Sequence, residues 1–155
     1  MTKTGPIIII EENVEDRNLF AQIFWEFNLS NELLYFNTLN ETQDYIASNK
    51  TELFLLFSNV LQFHEENKQD NYKNYNSICL EFNCPCLFYS IQHANCFIID
   101  TYSIPTQSYF ITPFDEEKFK SVLNSIVEYW LGKKSVQNDE IPKSEKESKF
   151  IKKPS

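Results

Sequence analysis

Glycine is almost missing from this chain. Of 155 residues only Gly5 and Gly132 are glycine, and both lie at the edges of the apolar body. Neither GxGxxG nor GxxxxGK[ST] can be written, so every glycine-rich phosphate loop is excluded. Long apolar runs are missing too: no stretch approaches the roughly 20 residues a bilayer-spanning helix needs. The opening MTKTGPIIII is too short an apolar run for a signal peptide, and an acidic cluster follows it. A cytoplasmic location is expected. Cationic side chains are scarce in the body. Residues 1–131 carry 7 basic against 18 acidic side chains, a net of −11, while residues 132–155 carry 7 lysines and 4 acids, a net of +3. An acidic body argues against nucleic acid as the partner. The four cysteines include Cys84-Pro85-Cys86, a CxC rather than the CxxC of a zinc knuckle. They are expected to be reduced thiols packed in the core.

What is present is aromatic and apolar. Fourteen Phe, eight Tyr and two Trp, with 42% apolar residues overall, supply a packed core. The chain is organised around Leu53–Phe57, a short unbroken apolar run that suits a strand buried on both faces. Three similar runs are Ile7–Ile10, ending in Glu11-Glu12; Cys86–Tyr89, ending in Ser90; and Tyr109–Ile111, within a strand read at Ser108–Ile111 and ending in Thr112-Pro113. Leu33–Phe36 reads as a further strand. Helical spacing follows: Leu19, Phe20, Ile23, Phe24 and Phe27 after the first strand, a helix opened by a capping box at Asn40 and Gln43 after the second, and a helix over the second half of Phe63–Phe82. A short helix is expected at Ala94–Ile104. A last helix is capped by Asp115, with Phe119, Val122, Leu123, Ile126, Val127 and Trp130 as its buried stripe. From Gly132 onward nothing is periodic, and a disordered lysine-rich tail at 132–155 is expected.

Five strands alternating with five helices predict an α/β domain over 1–131. With right-handed crossovers this is a flavodoxin-like, doubly wound (βα)5 three-layer sandwich with parallel strand order 2-1-3-4-5. Sites then form outside the carboxyl ends of the strands, at the strand 1/strand 3 switch point. Glu11, Glu12, Phe57, Ser90 and Thr112 fall at that edge.

Over residues 6–131 the chain resembles the receiver domain of two-component response regulators. IIIIEENVEDRNLF is similar to the start of small stand-alone receivers, and SYFITPFDEEKF to their Tyr-x-x-Lys-Pro-Phe segment. The resemblance implies a site in which an acidic pair and a phosphoacceptor Asp hold Mg²⁺, while a hydroxyl and a Lys contact the phosphoryl oxygens. Carried over, Glu11 and Glu12 stand at the acidic pair, Phe57 at the acceptor, Ser90 at the hydroxyl, Thr112 at the Lys and Tyr109 at the aromatic switch. A phenyl ring is neither nucleophile nor ligand, and shifting the register by one brings only Ser58. Mg²⁺ wants carboxylate oxygens, so the resemblance is to a degenerate receiver that has lost phosphorylation and Mg²⁺ binding, with Phe57 plugging the old pocket.

The function expected from this resemblance is a non-enzymatic, phosphorylation-independent interaction module in phosphorelay signalling. Its partner would be a histidine kinase, another receiver, an output protein or a second copy of the chain. The expected contact surface is the helix 4–strand 5–helix 5 face, marked by Phe97 and Tyr109. Four consecutive apolar residues, Cys96 to Ile99, cannot all face inward from one helix, so some should be exposed there. No catalytic residue, cofactor or metal site is expected, with Glu11 and Glu12 the residual cation candidates. Two His and two Glu on one edge (His64, His93, Glu11 and Glu12) lack tight ligand spacing for Zn²⁺. The rival reading is a small-molecule or metal-binding domain that uses the strand 1/strand 3 crevice.

Overall fold

The structure is a computed structural model, and it describes residues 2–63, 77, 79–92, 94–102 and 106–132. The expected disordered tail, His64, His93, Tyr72, Tyr75 and Ile78 lie outside the described residues.

The elements are β1 (Ile7–Ile10), α1 (Val14–Phe27), β2 (Leu33–Phe36), α2 (Leu39–Asn49), β3 (Leu55–Asn59), a 3-10 turn (Val60–Phe63), β4 (Cys86–Gln92), β5 (Asn95–Asp100), β6 (Gln107–Phe110) and α3 (Glu116–Leu131). Residues 77 and 79–82 are also helical. One six-stranded sheet runs in the order β2-β1-β3-β4-β5-β6. β1 pairs in parallel with β2 and β3, and β3 with β4. β4–β5 and β5–β6 are antiparallel. No helix among the described residues is long and apolar enough to cross a membrane.

The sheet corrects the expected flavodoxin-like, all-parallel fold. The segment Ala94–Ile104, read as a helix, instead contains β5. Cys96, Ile98 and Asp100 are buried while Phe97 and Ile99 are half-buried, so the burial alternates with period two. Aromatic and β-branched residues fit a pleated surface, and one face of β5 is packed more tightly than the other. The expected surface made with helix 4 therefore does not exist. The expected fifth strand is β6, the last strand of the sheet.

Two smaller shifts matter for the site. β3, expected at Leu53–Phe57, lies at Leu55–Asn59, because Ser58 and Asn59 continue the ladder in spite of their polarity. Ser58 is fully buried. β4 likewise passes through Ser90 to Gln92. The second helix is capped by Thr38, whose side chain accepts from Glu41 N at 3.1 Å. Glu41 in turn accepts from Asn37 N at 3.1 Å, so the capping pair stands two residues before the expected Asn40 and Gln43. Asp115 does cap the last helix, accepting from Glu117 N at 3.0 Å and Lys118 N at 3.3 Å.

Helices cover both sheet faces. On one, α1 and α3 pack on Ile7, Ile9, Leu55, Phe57, Leu87, Tyr89, Cys96 and Ile98. The expected stripe of α3 is seen there: Phe119, Leu123, Ile126 and Val127 are buried, and Val122 and Trp130 pack at the edge. On the other face Ile8, Ile10, Leu56, Cys86 and Phe88 meet Val60, Cys79 and Phe82, flanked by α2 residues Leu39 and Ile46. Strands covered on both sides are apolar at every position, which is why Ile7–Ile10 shows no alternation. The first face holds an aromatic knot: the Phe20 ring lies 4.9 Å from Tyr89, 5.8 Å from Phe57, 5.9 Å from Phe119 and 6.2 Å from Phe24. Burying each such ring stabilises the fold by about 1.5–3 kcal/mol.

Candidate functional site

The carboxyl ends of β1 and β3 meet at a buried carboxylate. The register that pairs Ile10 with Ser58 carries Glu11 and Asn59 out of the sheet side by side. Glu11 is 3% exposed. A buried carboxylate needs donors to replace water, and Glu11 has three. Asn59 Nδ2 donates to Oε1 at 2.8 Å, Tyr89 Oη donates to the same oxygen at 2.7 Å, and Asn13 N donates to Oε2 at 3.0 Å. Asn59 is itself pinned, since its Oδ1 accepts from Leu61 N at 2.8 Å.

Two further devices build the site. Asn13 is the N-cap of α1, accepting from Asp16 N at 2.9 Å, so the loop that presents Glu11 is fixed by the start of a helix. Arg17, one turn into α1, donates from Nε to the Glu11 carbonyl and from Nη2 to Asn37 Oδ1. Its guanidinium lies 5.9 Å from the Tyr35 ring centre. Arg17 thus ties the end of β1 to the loop after β2 and leaves the Glu11 carboxylate to neutral donors. The electrostatics follow. Burial first, then the negative charge and hydrogen bond of Glu11, hold the Tyr89 phenol well above its usual range. Burial and repulsion from Glu11 and Glu15 raise the Asp16 carboxyl.

Beside this network lies a cleft of about 430 Å³, lined by Glu11, Glu12, Thr38, Leu39, Asn40, Asn59, Leu61 and Gln62. Gln62 closes one wall, accepting from Leu39 N and donating to the Asn37 carbonyl, each at 3.1 Å. The cleft lies at the β1/β3 switch point, where open α/β sheets bind ligands. Its one side-chain hydroxyl among the described residues, Thr38, is committed to capping α2. Among the described residues no Lys or Arg lines it.

Of the five residues placed at the site from sequence, only Glu11 and Glu12 reach it, and they differ: Glu11 is buried and fully engaged, Glu12 exposed on the rim. Phe57 is not at the edge and plugs no pocket there. It points into the core, with its ring 5.8 Å from both Phe20 and Phe24. Ser90 lies within β4, paired with Phe97. Thr112 precedes a cis peptide to Pro113, and its hydroxyl donates to the Cys96 carbonyl at 3.3 Å. Neither Ser90 nor Thr112 lines the cleft. Of the surface residues, Tyr109 turns towards the α1/α3 core, its phenol donating to Gln107 Oε1 at 2.6 Å and raised by burial and by Asp100. Phe97 lies on the opposite face, 6.2 Å from Phe110, which is 68% exposed on β6.

Sequence reasoning misses Asn59 and Tyr89. It puts the polar stop of β3 at Ser58, although a strand buried on both faces continues through a small polar residue that meets no water. Matching the two polar stops, Glu11 after β1 and Asn59 at the end of β3, is the signal that finds the pair. Among the described residues no group of three or more His, Cys, Asp or Glu is arranged to hold a metal ion.

Comparison of the chain with protein-family models, with curated proteins and with solved structures finds no match. The functional reading therefore stands on geometry and on the residues themselves.

Proposed function

We propose that this domain is a receiver-like interaction module of two-component signalling that works without phosphorylation. The observation that carries the reading is Asn59. At the end of the central strand, beside the acidic pair, a receiver presents a carboxylate that accepts the phosphoryl group. Here that place holds an amide, and the amide nitrogen donates to Glu11 instead. An amide oxygen is a poor nucleophile, and this one is already committed to Leu61 N. Glu11, its oxygens taken by protein donors, is withdrawn from Mg²⁺. The site has become a structural clasp joining β1, β3 and β4.

Such a module binds its histidine kinase, receiver or output-protein partner constitutively. The surface that suits a partner is the β5–β6 end, where Phe110 is exposed on the edge strand β6 beside the half-buried Phe97 of β5.

The test is phosphorylation of the full chain with acetyl phosphate and Mg²⁺, read by intact mass, alongside the Asn59→Asp variant. The native chain is expected to take no phosphoryl group, and beryllofluoride with Mg²⁺ to leave its amide NMR spectrum unchanged. Asn59→Asp is expected to bind Mg²⁺ weakly, because it restores a carboxylate next to Glu12 and Glu11. An acid-labile adduct on the native chain overturns the reading. So does an Asn59→Asp variant that folds and shows no Mg²⁺-dependent shift at Glu11, Glu12 or Leu61.

The cleft favours a second reading, a small-molecule site. Its acidic rim selects neutral or cationic polar ligands, since Glu11 and Glu12 repel phosphates and carboxylates. NMR shifts confined to Glu12, Asn40 and Gln62 on adding such a ligand would favour it over the interaction module.

A further inference from the structure

Three of the four cysteines meet on the sheet face opposite α1 and α3. Cys79 lies on the helical segment 79–82, and Cys84 and Cys86 flank Pro85 at the start of β4. All are free thiols within the core cluster of that face. Cys86 lies close enough to Cys79 and Cys84 for each to perturb its titration, and Cys86 Sγ donates to the Cys84 carbonyl at 3.5 Å. Cys79 Sγ is 3.0 Å from Thr101 Oγ1. Thr101 Oγ1 in turn reaches the Cys86 carbonyl at 3.4 Å, so the threonine holds the two cysteines in one frame. Cys79 is the outermost of the three, 6% exposed where Cys84 and Cys86 are fully enclosed.

The two neighbouring thiols are unlike. The neighbouring Cys86 side chain first, then the Thr101 hydroxyl, lower the Cys79 thiol to about 7 in spite of burial. Burial, with its thiol neighbours, pushes Cys86 well above the ordinary thiol range. A thiol of lowered pKa, the less enclosed of the two, beside one held protonated is the arrangement of an attacking and a resolving cysteine. Cys96 lies on the other face of the sheet and is raised to about 11 by burial.

We propose that Cys79 and Cys86 are a redox pair that closes to an intramolecular disulfide on exposure to hydrogen peroxide. The Cys79 thiolate attacks one peroxide oxygen and the O–O bond breaks. The departing hydroxide takes a proton and leaves as water, and Cys79 becomes a sulfenic acid. The Cys86 sulfur then attacks that of Cys79, the S–O bond breaks, and the displaced hydroxide leaves as a second water with the Cys86 proton. The two cysteines lose two electrons and two protons, and the peroxide is reduced to water. The bond would tie segment 79–82 to β4, the strand whose Tyr89 holds Glu11.

The test uses the full chain under native conditions. It is treated with hydrogen peroxide, its remaining thiols are blocked with N-ethylmaleimide in denaturant, and it is mapped by mass spectrometry. The expected result is loss of two hydrogens with a Cys79–Cys86 linked peptide, Cys84 and Cys96 both alkylated, and reversal by dithiothreitol. Cys86→Ser should leave a sulfenic acid at Cys79 that dimedone traps, and Cys96→Ser should leave the disulfide forming as before. Iodoacetamide labelling of the untreated chain should reach half its limiting rate at Cys79 near pH 7. Four alkylated cysteines after oxidation, a link through Cys84 or Cys96, or a link between chains overturns the proposal. The outcome is independent of the phosphorylation test, which touches neither cysteine.

Discussion

The parallel half of the sheet and its antiparallel end are built on different terms. In the half formed by β2, β1, β3 and β4, the two central strands are buried at every position. At the other end β5 is buried at alternate positions, and β6 is mostly exposed. The cause is cover. α1 and α3 close one face and α2 with segment 79–82 closes the other, but Phe110 on β6 stays open to water. Buried carboxylates in both halves are held by donors: Glu11 accepts three hydrogen bonds in the parallel half, and at the hairpin end Asp100, 3% exposed, accepts from Tyr102 N at 3.0 Å and Trp130 Nε1 at 3.1 Å. The difference teaches where this molecule is free to vary: its middle is constrained by packing on two faces, and its edge is not.

The comparison can be broken most directly at Phe57. Phe57→Asp buries a charge between Phe20 and Phe24 with no donor in reach. The cost of about 4 kcal/mol or more is close to the whole stability of many domains. The variant is expected to be unfolded or partly folded by circular dichroism. A folded variant that binds Mg²⁺ would instead place Phe57 at the edge of the sheet.

An intermediate effect is expected from the clasp. In the folded chain Tyr89 keeps its proton at a pH where an unfolded tyrosine, near 10, has lost it. Its contribution is therefore complete below about pH 10 and is lost as pH climbs beyond that value. Tyr35 and Tyr109, also raised, act in the same direction. The melting temperature should fall steeply in alkali, and Tyr89→Phe should make that fall shallower. At neutral pH Tyr89→Phe should cost about 1–3 kcal/mol, because Glu11 loses a donor in a buried place. A variant as stable as the native chain would show that Asn59 and Asn13 hold Glu11 alone.

The smallest effect belongs to the edge. Phe110→Ser removes an exposed ring and should change stability by no more than about 0.5 kcal/mol in denaturant unfolding. If β6 is the interaction surface, the same variant should lose partner binding or self-association in sedimentation experiments. A substantial loss of stability would mean that Phe110 is part of the core.

How much of this is legible in the sequence differs by region. β1 and β2 stand where the apolar runs put them, and α1 and α3 follow their three-four spacing. Asp115 caps as its chemistry dictates. The misreadings at the strand ends share one cause, the use of polarity as a stop sign. Ser58 and Ser90 read as strand ends, yet both lie inside strands because the neighbouring ladders satisfy their backbones whatever the side chain. The two-residue offset in β3 then puts Phe57 where Asn59 stands.

The sequence by itself determined the elements whose residues bury a face by local period: the isoleucine strand, the amphipathic helices and the Asp115 cap of the last one. It also determined that no glycine-rich phosphate loop is possible, and that Glu11 and Glu12 close the first strand. Only the tertiary structure decided that Cys96–Ile99 belongs to a strand, since a run of four apolar residues fits a helix or a sheet until a neighbour's hydrogen bonds claim its backbone. It also decided the partners of Glu11. Asn59 and Tyr89 lie 48 and 78 residues away along the chain, and no local pattern encodes contacts that strand register alone creates.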